Sequence, residues 1–297
     1  MLGGKAHNGA VGSVPLPAFQ AGYKLNTFLS EFGVGEIDIT KSLAPGFKWY
    51  PYNWFGSNPD MSKVTGGNGA ELVLTGDTTG PNGQILTCGV KPGNTYVGKA
   101  FGGGAYVEAT LKFDPQTVQS FGPNGWPSFW CLPIEKGLAP TMDQWPGQAA
   151  NYEHYVEWDI FEYIFSGARP ASYDGTLHDW YGVYTSLGDV SNVPDNVLPV
   201  PDIGYFNNFH KYGSLWIPAT DNTLGSVQFF FDRRPVGKRF TFSKYTGQAP
   251  TPVGQPWRWG VIDQHHHALI LGTGPGANMT VNRVEVWQAT DANNWTA

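Results

Sequence analysis

The most regular pattern of polar and apolar positions in the chain lies in residues 105–113. The two classes alternate strictly there, with Tyr106, Glu108, Thr110 and Lys112 set against Val107, Ala109, Leu111 and Phe113. A period of two places alternate residues on opposite faces of a β-strand, so this segment predicts a strand of a half-exposed sheet. Helical periodicity is hard to find anywhere in the sequence.

Further strands are predicted where short runs rich in β-branched or aromatic residues are bounded by Gly, Pro, Asn or Asp. They cover residues 71–77, 83–90, 226–232, 267–273 and 279–288. The composition agrees, because 15% of residues are aromatic, only 14% are charged, and 39 Gly and 23 Pro are present to form turns. We therefore expect an all-β domain of two packed antiparallel sheets.

No internal repeat or low-complexity linker divides the chain, and 297 residues suit one large β-sandwich. We expect an N-terminal tail over residues 1–21 and a single domain over residues 22–297. Segments 135–154 and 191–208 are predicted to be long loops. Loops of this length in a compact domain are usually functional.

The chain carries 18 basic and 24 acidic residues, a net charge of −6, and no block of Lys or Arg. Nucleic acid is therefore not expected as a partner, because neutralising phosphates needs a basic surface. No apolar run approaches the roughly 20 residues needed to cross a bilayer, so no membrane partner is expected either. The first residues show no apolar core of a signal peptide.

The two cysteines, Cys88 and Cys131, lie far apart in the sequence. Free Cys is among the most buried residue types and behaves as a small apolar side chain. We expect two buried thiols, with a disulfide between them as the alternative.

One largely apolar segment, YVEWDIFEYIF over residues 155–165, carries three carboxylates. In a regular strand Glu157 and Asp159 share one face, whereas Glu162 falls on the opposite, core-facing side. A lone carboxylate is costly there. One extra residue, a β-bulge between Asp159 and Glu162, returns Glu162 to the face of the other two. The spacing therefore predicts three carboxylates in a row on one face of a sheet.

Three adjacent carboxylates repel one another, so at least one apparent pKa is expected to rise. A protonated acid beside an ionised carboxylate is the pair that retaining glycoside hydrolysis uses. The alternative is an exposed strand face that carries solvated charges. The aromatic neighbours and the long loop before the strand favour the catalytic interpretation.

Motifs spread over most of the chain resemble those of glycoside hydrolase family 16, the laminarinase, lichenase and agarase group. The segment GWPSFWCLP, residues 125–133, is similar to the family's Gly-x-Trp-Pro-Ala-Phe-Trp signature, and EWDIFE, residues 157–162, to the bulged form of its catalytic motif. Weaker similarities occur in the family's order at 28–41, 175–180, 209–216 and 279–288. The resemblance implies a concanavalin A-like β-jelly-roll sandwich with an open cleft.

The resemblance also implies a role for individual residues. Glu157 is expected to be the nucleophile and Glu162 the acid/base, with Asp159 between them. The residues expected to bind substrate are Trp126, Trp130, His178 and Trp180. Trp54 is a weaker cleft candidate, and His210 is expected to be structural.

No cofactor or metal is expected. Some family members bind a structural calcium through an acid in the opening motif, here Glu31, and an Asp in the closing strand, where this chain has Asn282. An amide is a poorer ligand for a hard cation than a carboxylate, which argues against calcium here. The three histidines at 265–267 cannot easily share one metal, because adjacent strand residues point in opposite directions.

Together these features imply a secreted, retaining endo-β-glycanase that acts as a monomer on a polysaccharide. The low number of basic residues favours a neutral substrate, a β-1,3-glucan or a mixed β-1,3/1,4-glucan. The alternatives are a galactan hydrolase of the agar or carrageenan type, a transglycosylase, or a non-catalytic carbohydrate-binding module, since fold alone does not settle function.

Overall fold

The computed structural model describes most of the chain. The described residues are 13–67, 69, 71–76, 82–93, 95–120, 125–137, 152–163, 171–183, 188–191, 197–247, 258–274 and 278–297. Strands dominate the regular structure of these ranges, as the alternating pattern predicts. None of the helices in them is long and apolar enough to span a membrane.

The strands follow one another closely along the chain. They are β1 Leu25–Ser30, β2 Tyr50–Pro51, β3 Val64–Thr65, β4 Leu72–Thr75, β5 Gln84–Leu86, β6 Cys88–Lys91, β7 Thr95–Ala100, β8 Ala105–Phe113, β9 Ser128–Pro133, β10 Tyr152–Glu162, β11 Ser172–Val183, β12 Gly188–Ser191, β13 Val197–Pro199, β14 His210–Ile217, β15 Gly225–Phe231, β16 Arg234–Phe242, β17 His267–Gly272, β18 Asn278–Gln288 and β19 Trp295–Thr296. The α-helices are α1 Leu16–Gln20, α2 Pro115–Ser120 and α3 Ile134–Gly137. Short 3₁₀ helices occur at Trp54–Gly56, Met61–Lys63, Ile203–Asn207 and Arg258–Gln264.

Two eight-stranded antiparallel sheets form the body of the molecule. The first, which we call the outer sheet, runs β16-β15-β14-β8-β18-β4-β3, with β1 also paired to β18. The second, which we call the groove sheet, runs β12-β11-β10-β9-β17-β5-β2, with β13 also paired to β11. Hairpins of consecutive strands are therefore joined by pairs that are distant in sequence, such as β8-β18 and β9-β17, as in a jelly roll.

The main core lies between these two sheets. Val107 and Leu111 of the outer sheet and Trp158 and Leu271 of the groove sheet belong to one buried apolar cluster. The indole N–H of Trp158 donates to the hydroxyl oxygen of Ser214 at 3.0 Å, which ties β10 to β14 across the core. Inward-facing residues of both sheets thus pack as the two-layer expectation requires.

The outward faces of both sheets are partly covered by smaller elements. A three-stranded sheet, β19-β7-β6, buries Cys88 and Tyr96 against Leu132 and Tyr155 of the groove sheet. Helix α1, which lies within the predicted tail, buries Ala18 in a cluster on the outer sheet. Part of the groove sheet's outward face is therefore apolar and covered, and a ligand has access only to the uncovered part.

Most strand predictions are confirmed, and β8 matches its predicted segment 105–113 at both ends. The segment 83–90 instead divides into β5 and β6, which belong to different sheets. The predicted loops 135–154 and 191–208 contain α3, the start of β10, β13 and a 3₁₀ helix, and their residues 138–151 and 192–196 lie outside the described ranges. Cys88 and Cys131 are free, buried thiols, as expected.

The predicted half-exposed face of β8 is wrong at Glu108, which is only 1% exposed. The guanidinium of Arg233 covers it, with Nη2 2.8 Å from Glu108 Oε1 and 2.9 Å from Glu285 Oε1. Arg233 lies in the two-residue turn between β15 and β16, and φ is +49° at Asp232 and +64° at Arg233. Two positive φ values favour Asn-Gly or Asp-Gly, so a non-glycine residue at the second position is held in a strained backbone by its ion pairs.

We expect Arg233→Gly to lower the stability of the protein although it relieves the strained φ. The substitution takes one guanidinium away from two buried carboxylates. Glu285 keeps Arg283 Nη2 at 3.1 Å. Glu108 keeps Lys211 Nζ at the longer distance of 3.7 Å, so we expect a loss of about 2–4 kcal/mol. Chemical denaturation measures this loss of stability. The loss should shrink in a Glu108→Gln background, where Arg233 pairs only with Glu285. Glu285 there keeps its bond from Arg283. A variant as stable as the wild type would mean that backbone strain outweighs the ion pairs.

Candidate active site

A β-bulge in β10 places the three carboxylates, as the sequence predicts. Asp159 pairs with Thr176 of β11 and Glu162 pairs with Asp174, so three steps along β10 oppose two along β11. Ile160 and Phe161, the residues within the bulge, both enter the main core. The extra residue returns Glu162 to the groove face of the sheet.

Each of the three carboxylates is held by an aromatic N–H group. The indole nitrogen of Trp180 donates to Glu157 Oε2 at 2.7 Å. The indole nitrogen of Trp126 donates to Glu162 Oε1 at 2.8 Å. His178 Nε2 lies 3.1 Å from Asp159 Oδ2. Two of these partners come from β11 and one from the loop before β9, so three chain segments meet at the site.

Burial raises the pKa of both glutamates. For Glu157 the pKa lies well above its usual range, first because of desolvation and then because of the charges of Asp159 and Glu162, while His178 and the bond from Trp180 lower it. The pKa of Glu162 is raised chiefly by desolvation, while the bond from Trp126 lowers it. The expectation that at least one carboxylate of the trio would have a raised pKa is confirmed.

The two glutamates open into a groove of about 260 Å³. Trp126 and Trp130 line it together with Asn82, Gln84, Ser128, Thr273 and Gly274. Trp126 is 41% exposed and its backbone is fixed by a 2.9 Å bond from the N–H of Gly274. An exposed indole beside paired carboxylates gives a sugar ring a large, flat apolar contact.

The remaining predicted residues divide between the site and the core. His178 and Trp180 stack on each other at 5.9 Å beside the carboxylates, but neither lines the described groove. Trp54 is 0% exposed and donates its indole N–H to the carbonyl of Cys88, so its placement in the cleft was wrong. It belongs to the apolar cluster beneath the small sheet.

His210 lies on the outer sheet, away from the site. Its Nδ1 is 2.7 Å from Asp232 Oδ2, and its ring stacks on Phe231 and Tyr205. The structural role expected of His210 agrees with these contacts.

Four polar residues of the groove were missed by sequence reasoning. They are Asn82, Gln84, Ser128 and Thr273. Each lies in a strand, or within two residues of one, among β5, β9 and β17. These strands border the site because β17 pairs with both β5 and β9. In the sequence these residues are recognisable only as outward-facing positions of predicted strands. That property does not distinguish residues of the groove from other surface residues.

The residues considered for metals make other contacts. Glu31 Oε1 accepts a 2.7 Å bond from Arg283 Nη1, so this carboxylate of the possible calcium site already has a cationic partner. His266 bonds Glu135 at 2.7 Å, whereas His267 is buried beside Trp158, and burial lowers its pKa to about 3. His266 and His267 therefore lie in different surroundings, as expected if adjacent strand residues point in opposite directions.

Solved structures with the same fold are enzymes that act on polysaccharides. An endo-1,3-beta-glucanase from Streptomyces sioyaensis shares 20% identity with a TM-score of 0.53, over 92% of this chain and 97% of that one. SCLam, a non-specific endo-beta-1,3(4)-glucanase from family GH16, shares 17% with a TM-score of 0.50, over 90% and 91%. The kappa-carrageenase from Pseudoalteromonas carrageenovora, in complex with an oligotetrasaccharide of kappa-carrageenan, shares 16% with a TM-score of 0.50, over 88% and 92%.

The chain has the β-jelly-roll fold of family 16 glycoside hydrolases. The fold predicted from the order of the motifs is confirmed. At these identities the likeness concerns the fold alone. No family model matches the sequence, and no curated protein sequence matches it.

We expect Glu157→Gln and Glu162→Gln each to raise the melting temperature at neutral and alkaline pH. A folded-state pKa above the unfolded value makes ionisation unfavourable to the fold, so stability is lost as pH rises from about 4.3 through the folded pKa. Glutamine does not ionise, so neither variant loses stability in this way as pH rises. Thermal scans between pH 4 and pH 9 should show the gain growing with pH.

The exposed Glu71→Gln is the control for removing one negative charge, and its difference from the wild type should stay small across the same range. Amide variants that melt below the wild type at every pH would contradict the raised pKa values.

Proposed function

We propose that the protein is an endo-acting, retaining β-glycanase. The observation that carries the proposal is the bulge, which sets Glu157 and Glu162 on one face of a groove lined by Trp126 and Trp130. Two neighbouring carboxylates with raised pKa values, one of which can keep its proton while the other ionises, lie beside the exposed indole of Trp126 and the partly buried indole of Trp130. They supply an acid, a nucleophile and a sugar platform together.

In the proposed reaction Glu162 protonates the leaving glycosidic oxygen while Glu157 attacks the anomeric carbon. The resulting glycosyl-enzyme is released by a water molecule that Glu162, now a carboxylate, deprotonates. Asp159, held by His178, adds negative charge next to Glu157, which disfavours two simultaneous charges and keeps one proton within the trio. A sugar hydroxyl in place of water would make the same intermediate a transglycosylation.

A neutral polysaccharide is the substrate class we propose, a β-1,3-glucan or a mixed β-1,3/1,4-glucan. The described residues that line the groove are neutral apart from the two glutamates, and none is Lys or Arg. Binding of sulfate groups calls for charge-assisted bonds from such cations, so the lining favours an uncharged chain over a sulfated galactan. Because such polymers are found outside cells, we propose that the enzyme works there.

The direct test is incubation with laminarin, lichenan, agarose and kappa-carrageenan, followed by an assay of reducing ends. We expect release from a glucan by the wild type and a loss of at least about 1,000-fold in Glu157→Gln, which keeps the shape but cannot attack. The initial products should keep the β-anomer by NMR. Binding to these glycans without turnover would favour a carbohydrate-binding module instead, and an inverted product would remove Glu157 from the nucleophile's role.

Glu162→Ala should lose polysaccharide cleavage but keep much of its activity on a substrate with an activated leaving group, which needs little protonation. Added azide should accelerate that residual reaction by attacking the glycosyl-enzyme in place of activated water. Rates on both substrates should be compared with those of Glu157→Ala, for which azide gives no β-azide product. The absence of any rescue in Glu162→Ala would contradict its acid/base role.

A further inference from the structure

Trp180 contacts the proposed nucleophile directly. It lies on β11, which pairs with β10 so that Glu157 faces His178 and Tyr155 faces Trp180. From that position its indole N–H reaches diagonally to Glu157 Oε2, at 2.7 Å. This is a charge-assisted bond when the carboxylate is ionised, and such bonds are the stronger class.

The ring of Trp180 is fixed by its neighbours. It stacks on Tyr155 with ring centres 6.5 Å apart and planes at 23°, and on His178 at 5.9 Å and 28°. His178 in turn lies 3.1 Å from Asp159. Two successive groove-side residues of β11 therefore each serve one carboxylate of β10, and the stack restrains the direction of the indole N–H.

Trp126 provides the contrast within the same site. It also donates an indole N–H to a catalytic carboxylate, but it is 41% exposed and lines the groove, whereas Trp180 does not line it. Trp126 and Trp180 thus make similar hydrogen bonds to carboxylates, but only Trp126 is accessible to a sugar in the groove.

We propose that Trp180 is a positioning residue for Glu157 and not a sugar-binding platform. The proposal rests on the proposed function, in which Glu157 attacks the anomeric carbon. Because Oε2 of Glu157 accepts the bond from the indole of Trp180, Oε1 is the atom that attacks the anomeric carbon. The same bond keeps the carboxylate in one rotamer. Donation to the charged form also favours the ionised nucleophile against Asp159 and Glu162, the neighbouring carboxylates on β10.

Steady-state kinetics of Trp180→Phe on the best glucan test the proposal, because phenylalanine keeps a stacking ring and removes only the N–H donor. We expect kcat to fall by about 10- to 100-fold, as for a misplaced reacting group, with KM changed less than about twofold. The acidic limb of kcat/KM should move to higher pH, since the free-enzyme pKa of Glu157 rises when its donor is lost. The other groups that titrate around Glu157, namely Asp159, Glu162, His178 and Tyr52, remain in place.

The matched control for loss of a platform is the pair Trp126→Phe and Trp126→Ala, because both lose the N–H bond to Glu162 and only the second loses the ring. KM should be severalfold higher in Trp126→Ala than in Trp126→Phe. A Trp180→Phe variant with kcat and the acidic limb unchanged would overturn the proposal whatever its KM, because the lost N–H would then not position Glu157.

An NMR measurement separates this proposal from the proposed function, because it needs no turnover. The indole N–H signal of Trp180, assigned by its disappearance in Trp180→Phe, should shift with pH in the wild type as Glu157 titrates. The shift should persist in Glu162→Gln and vanish in Glu157→Gln. A shift that survives in Glu157→Gln would overturn the proposal, whether or not the wild type cleaves any glycan.

Discussion

The extra residue in β10 is the constraint on which the site depends. Its backbone lets Ile160 and Phe161 both enter the core, so the strand gains two apolar anchors in succession. The same step returns Glu162 to the groove face. The bulge therefore packs the core and places the acid at the same time. A strand with strict alternation would put the carboxylate of Glu162 in the core and the ring of Phe161 in the groove.

Carboxylates on the two sheets are satisfied by different partners. Glu108 of the outer sheet is paired with the guanidinium of Arg233, a permanent cation. Glu157 and Glu162 of the groove sheet instead accept bonds from neutral indole N–H groups. A neutral donor holds a carboxylate in place but offsets only part of its desolvation, and burial is the main cause of the raised pKa values of these two groups.

The small sheet β19-β7-β6 limits the groove by covering part of the groove sheet's outward face. The apolar cluster beneath it includes Tyr155, only two residues from Glu157 on the same face of β10. Along a few residues of one strand the surroundings change from a closed aromatic cluster to an open polar groove. This boundary supplies both the low-dielectric surroundings that raise the pKa of Glu157 and the access that a polymer chain needs.

The sequence by itself determined the class of the fold, most strand positions, the bulge and the face shared by the three acids, because these follow from periodicities within single segments. It also singled out Trp126 and His178, whose motifs lie close to or within the strands of the site. Only the tertiary structure decided that Asn82, Gln84, Ser128 and Thr273 converge on one groove, that Trp54 is buried, and that the indole of Trp180 reaches Glu157. The groove depends on the pairing of β17 with β5 and β9, segments more than a hundred residues apart, and no local pattern of side chains specifies such a pairing. The bond from Trp180 depends on the register of β11 against β10, and the burial of Trp54 depends on packing beneath the small sheet.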